Sequence, residues 1–138
     1  MADYTISVTI DRSYDATVEA VREQLAEVGF GVLTEIDLKA KLKEKLDVEV
    51  APQIILGACR PQLAYDALQV EPSIAALLPC NVVVRTVADG TTVVEAFDPL
   101  VMISLVGEGA AGNALRAVAD DARQRLSAAL AAVSEAGS

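Results

Sequence analysis

Strict alternation opens the chain. From Tyr4 to Asp11, the residues Tyr4, Ile6, Val8 and Ile10 share one face, and Thr5, Ser7, Thr9 and Asp11 share the other. A period of two with one apolar face predicts a half-buried strand. The period then changes: Val18, Val21, Leu25 and Val28 recur at helical spacing, Ser13 or Asp15 offers a capping oxygen, and Gly29 supplies a stop. A first helix fills that interval. Phe30 to Asp37 is rich in branched and aromatic residues behind a glycine, which predicts a second strand. Asp37 can cap a short second helix in which Leu38, Leu42 and Leu46 form a narrow apolar stripe, placing it on the surface of the domain.

Gln53 to Cys59 predicts a third strand, and its unbroken apolar run predicts burial on both faces. Pro61 suits the first turn of a helix carrying Leu63, Ala64, Ala67 and Leu68. Pro72 opens a second short turn with Ile74, Leu77 and Leu78 facing inward, and Pro79 ends it. Asn81 to Val87 and Thr92 to Phe97 read as two strands around Ala88-Asp89-Gly90-Thr91, a hairpin signal. A three-residue loop sets Arg85 opposite Glu95 and Val87 opposite Val93, and this charge match favours it over a two-residue loop. Asp98-Pro99 breaks the strand, Leu100 to Val106 forms one or two helical turns, and Gly107 to Asn113 reads as a loop. Leu115, Val118, Ala122, Leu126, Leu130 and Val133 then make one stripe of a long closing helix, opposed by Arg116, Asp120, Arg123 and Glu135. Residues 136–138 are expected to fray.

This order predicts an α+β fold: a mainly antiparallel five-stranded sheet with helices packed on one face. If the third and fourth strands are neighbours, the end of one lies beside the start of the other. Cys59 and Cys80, the two cysteines of the chain, then come within a few residues of each other across the ladder. With 138 residues and no linker or repeat, a single domain over residues 1–138 is expected.

Composition narrows the function. The apolar runs are far shorter than the roughly 20 residues a membrane span requires, and the N-terminal residues lack the pattern of a secretory signal. A cytoplasmic setting is expected, in which a permanent disulfide would be unusual. Eleven basic against 20 acidic residues give a net charge of -9, which disfavours nucleic acid and anionic membranes as partners. Lys39, Lys41, Lys43 and Lys45 alternate along the second helix and so spread around it. That pattern describes a solvated surface, with docking of an acidic partner as the alternative.

The thiols are the main candidate chemistry. Cys59 precedes a helix whose amides and dipole favour a thiolate, and Arg60 adds positive charge. Against this stands packing, in which both cysteines are small apolar residues and Pro61 and Pro79 only shape turns. Soft-metal binding is the third reading, although two cysteines without any histidine make a poor zinc set unless a partner chain completes it. The absence of histidine also excludes Ser-His-Asp and Cys-His catalysis. Nothing fixes Glu35, Asp37 or Asp98 in acid–base pairs, so capping or solvated roles are expected. The glycine-rich 107–112 stretch lacks the lysine of a phosphate-binding loop. No catalytic residue and no cofactor is expected, and the balance favours a non-enzymatic protein.

The segments FGVLTEIDLKAKLKEKLDVEV, ILGACRPQLAYDAL, LLPCNVVV and DPL resemble the DUF302 family of small bacterial and archaeal proteins over nearly the whole chain. Cys59 with Pro61, and Leu78-Pro79-Cys80, carry the signature. The resemblance implies a TBP-like fold, β-α-β4-α with inserted short helices around a curved sheet, and commonly a homodimer; it implies no activity. Arg60 stands where the family often has Asn, which alters any polar site at Cys59. Asp47 stands where Gly is common, a mild change because Asp tolerates the left-handed conformation at a helix end. The resulting expectation is a homodimeric ligand-binding or interaction module, with a small apolar ligand enclosed by sheet and long helix. The alternative is a thiol redox or soft-metal protein using Cys59 and Cys80, with Arg60, Pro61 and Pro79 as neighbours.

Overall fold

The computed structural model describes residues 3–106 and 109–136. The elements run β1 (Thr5–Ile10), α1 (Tyr14–Glu27), β2 (Gly31–Asp37), α2 (Leu38–Leu46), β3 (Gln53–Cys59), α3 (Pro61–Val70), a 3-10 turn (Pro72–Leu77), β4 (Cys80–Ala88), β5 (Thr91–Phe97), α4 (Val101–Val106) and α5 (Ala110–Ala136). The five strands form one sheet in the order β1-β5-β4-β3-β2, every pair antiparallel.

The punctuation of these elements follows side-chain chemistry. Ser13 is the cap of α1, its hydroxyl accepting from the Ala16 amide at 3.2 Å, and Gly29, at φ 87°, turns the chain out of the helix. Asp37 caps α2 by accepting from the Ala40 amide at 2.9 Å. Asp47 closes α2 in the left-handed region, at φ 54°. Pro61 occupies the first turn of α3, where a missing amide hydrogen leaves no helical bond unmade.

Two buried clusters form the interior. The first joins Val21 and Leu25 of α1 and Leu126, Leu130 and Val133 of α5 to the inward residues of the sheet, among them Leu56, Val82, Val84 and Val94. The second joins Ala67 of α3, Ile74 of the 3-10 turn, Met102 and Ile103 of α4, and Leu115 and Ala119 of α5. Helix α5 therefore belongs to both. Helix α2 contributes no buried residue, as its narrow stripe predicts.

Four expectations change. Tyr4 lies outside β1 and is exposed, so the strand's inward face is Ile6, Val8 and Ile10. Strand β3 is fully buried on one face, at Ile54, Leu56 and Ala58; on the other, Gly57 is covered by Thr34 and Pro79, whereas Gln53 and Ile55 remain half-buried because no core cluster covers them. The β4–β5 loop is the two-residue Asp89-Gly90, with Ala88 opposite Thr91 and a register shift between Thr86 and Ala88. Arg85 consequently faces Val93 and Val83 faces Glu95. The charge match survives as a diagonal, Arg85 donating to Glu95 at 3.4 Å. Finally, α5 begins at Ala110, so Ala110 to Asn113 are helical instead of looped. Gly107 and Glu108 of that expected loop, and Gly137 and Ser138 of the expected frayed end, lie outside the described residues.

Candidate functional site

The β3–β4 ladder brings the cysteines together. Ala58 is opposite Cys80, and Cys59 follows Ala58, where it pairs with Gly31 of β2. Both are free thiols, Cys59 partly exposed and Cys80 buried. They line one apolar pocket of about 30 Å³, bordered by Phe30, Leu63, Leu78, Met102 and Val118, with Arg60 also on its wall. That space suits roughly one water-sized occupant, far below the 300 Å³ or more of ordinary small-molecule sites.

Close backbone approach fixes this corner. A Cβ on Gly57 would stand 2.1 Å from the Thr34 hydroxyl and 2.8 Å from Cγ of Pro79. The Thr34 side chain and the Pro79 ring thus press directly onto β3, one residue from Ala58 and two from Cys59. The Leu78–Pro79 peptide is cis. Pro61, by contrast, is exposed and shapes only the start of α3.

Arg60 reaches towards α1 and α5. Its guanidinium lies 3.7 Å from the Asp121 carboxylate, and a Cβ on Gly29 would come within 3.1 Å of its Nε. Asp121 also accepts from Arg125 Nε at 2.9 Å, and Arg125 donates to the Val28 carbonyl at 3.2 Å. Asp121 and Arg125 are neighbours of the site that the helical spacing of α5 did not single out.

Burial opposes the activation that the helix start and Arg60 offer the thiols and agrees with the packing reading. Burial pushes the Cys59 thiol up from its ordinary value. Burial, then the neighbouring Cys59, pushes Cys80 up to about 11. Removing a thiolate from water outweighs the helix N-terminus and Arg60, whose charge is shared with Asp121. Met102 is the other sulfur on the pocket wall, and it went unnoticed in the sequence because only tertiary packing carries α4 to that position. Among the described residues no three His, Cys, Asp or Glu side chains cluster so as to hold a metal.

The remaining candidates are structural. Glu35 pairs with Arg22, Asp37 caps α2, and Asp98 accepts from the Leu100 amide and from Arg123. The α2 lysines face acids of their own neighbourhood: Lys39 and Lys43 pair with Glu49, Lys43 also with Asp47, and Lys41 and Lys45 with Glu44. No described helix is long and apolar enough to cross a membrane.

A second feature is the other face of the sheet. Ile36, Ile55, Val83, Glu95 and Ser7 follow one another across β2, β3, β4, β5 and β1. Ile36, Ile55, Val83 and the adjacent Val93 belong to neither buried cluster, and Ile36 is 43% exposed. Beside this row, Tyr4, Thr5, Asn81, Val83, Glu95 and Phe97 border a depression of about 250 Å³. The charges of the face are satisfied within it, because Glu95 accepts from both Arg85 and Thr5.

Comparison with known proteins bears on the whole chain. None of the curated proteins matches it. The crystal structure of an uncharacterized conserved DUF302 protein from Bacillus stearothermophilus superposes with a TM-score of 0.84 at 30% identity, covering 95% of this chain and 98% of that one. The family described as domain of unknown function DUF302 matches residues 6–133. With that family model spanning nearly the whole chain and a DUF302 structure sharing its antiparallel fold, the chain belongs to the DUF302 family.

Proposed function

We propose that this protein is a non-enzymatic interaction module that works as a homodimer, with the face of the sheet opposite α1 and α5 covered by a second copy. The observation that carries this reading is the row Ile36, Ile55 and Val83, apolar side chains in cross-strand register outside both cores. A chain of charge -9 resists self-association over most of its surface. On this face Arg85 and Glu95 cancel each other, so a two-fold contact there buries apolar groups without opposing like charges. The thiol pocket has too little space for an enclosed apolar ligand of ordinary size, and the reading does not depend on one. Sedimentation velocity tests it: the wild type sediments as a dimer, and Ile55→Lys with Val83→Lys yields a folded monomer. A monomeric wild type at micromolar concentration, or a dimer indifferent to both lysines, removes the proposal.

A second reading is favoured by the shared pocket of Cys59 and Cys80: a reduced dithiol that binds or exchanges with thiol-seeking partners in a cytoplasmic setting. Thiolate is the reactive form. Because both thiols are raised, reaction at neutral pH is slow and accelerates with alkali, Cys59 first and Cys80 only as pH nears about 11. Mass spectrometry of iodoacetamide-treated protein across pH measures that order. Equal labelling of both at pH 7 sinks the assignment of a protected Cys80.

A further inference from the structure

We infer that the pocket between β3, β4, α3, α4 and α5 is a binding site for a soft monovalent cation of the Cu(I) type, held by Cys59, Cys80 and Met102. The inference rests on the reduced-dithiol reading and extends it with a third ligand and a charge. Three of the sulfur-bearing side chains of this chain line one cavity, and they come from separate elements: β3, β4 and α4. Met102 is 6% exposed and Cys80 8% exposed. The rest of the wall is aliphatic or aromatic apart from Arg60, so no side-chain oxygen or imidazole competes for an ion.

Ligand softness decides the class of metal. Thiolate and thioether donors select Cu(I), whereas zinc prefers four ligands with nitrogen or further sulfur, and magnesium or calcium require oxygen. Size agrees, because about 30 Å³ is room for one small ion. Charge agrees as well. Binding releases both thiol protons to solvent, leaving two thiolates; a monovalent cation and the Arg60–Asp121–Arg125 cluster, which carries one net positive charge, bring the assembly to neutrality. A buried site with uncompensated charge would be costly. The cation enters and remains in the +1 state, so no electron is transferred.

The test is anaerobic titration of the full chain with Cu(I) against a chromophoric chelator, with Zn(II) in a parallel arm and X-ray absorption on the loaded protein. The expected result is one Cu(I) per chain, a sulfur-only shell, and preference for Cu(I) over Zn(II). Met102→Leu keeps volume and fold while removing one donor. Since second-shell losses alone weaken metal sites 10–100-fold, this variant should lose about tenfold or more, and Cys59→Ala should lose still more. Absence of Cu(I) binding, nitrogen or oxygen in the shell, or unchanged affinity in Met102→Leu overturns the three-sulfur site. Those outcomes leave the dithiol reading to be judged separately by the alkylation order.

Discussion

Gly57 shows how much of the candidate site depends on a side chain that is missing. The Thr34 hydroxyl and the Pro79 ring occupy the space a Cβ would need, at 2.1 and 2.8 Å. Thr34 can rotate about χ1, but the pyrrolidine ring has no such freedom and is followed directly by Cys80. Gly57→Ala must therefore move Pro79 and the start of β4, which disturbs the wall carrying Cys80. Overpacking of this kind costs about 1–3 kcal/mol. Urea unfolding measures it, and Thr34→Ala in the Gly57→Ala background should recover part of the loss, since the two positions share one contact. No loss in the single variant would show that the β3–β4 corner yields without strain. The same scale explains why the thiols do not behave as their neighbours in sequence suggest. A helix start and an arginine beside Cys59 point to a thiolate, but the cost of burying that charge is set by Leu63 together with Phe30 and Met102, the last two far from it in the chain.

At the scale of elements, what could be read from sequence depended on whether one strong local term decided the outcome. Helices α1 and α5 follow from apolar spacing, and Ser13 and Asp37 are fixed by oxygens placed to accept amide hydrogens. The meeting of Cys59 and Cys80 was legible too, because an antiparallel β3–β4 pair brings the end of one strand beside the start of the other. Register was not. Arg85 and Glu95 satisfy each other diagonally as well as directly, so charge matching could not choose between loops, and the two-residue Asp89-Gly90 turn with its register shift decided the matter. The burial of β3 was misjudged for a related reason: an apolar run records what a strand tolerates, and only the positions of α1 and α5 decide which face is covered. Met102 belongs to the same class. Nothing in its own segment says that α4 packs where the two thiols are.

At the scale of the molecule, the pocket lies on the seam between the two buried clusters. Phe30, Cys80 and Ala122 come from the first, and Ala67, Met102 and Ala119 from the second. Helix α5 crosses that seam, giving Leu126 and Leu130 to one side and Leu115 to the other. Packing within either cluster should be unforgiving, while the seam, which already holds a small void, tolerates a change of shape. Leu126, fully enclosed, should cost about 2–5 kcal/mol when cut to Ala, and Leu115→Ala a similar amount. Met102→Leu conserves volume and should cost less than about 1.5 kcal/mol. Because α5 is shared, both Leu→Ala variants should shift one cooperative transition with an unchanged urea dependence instead of splitting it in two. Urea titrations followed by circular dichroism and by tyrosine fluorescence give the answer. Coincident curves with a lower midpoint support a single unit joined through α5; a separate early phase in Leu115→Ala would mean that the second cluster, with Met102 and half the pocket wall, can open while the sheet remains folded.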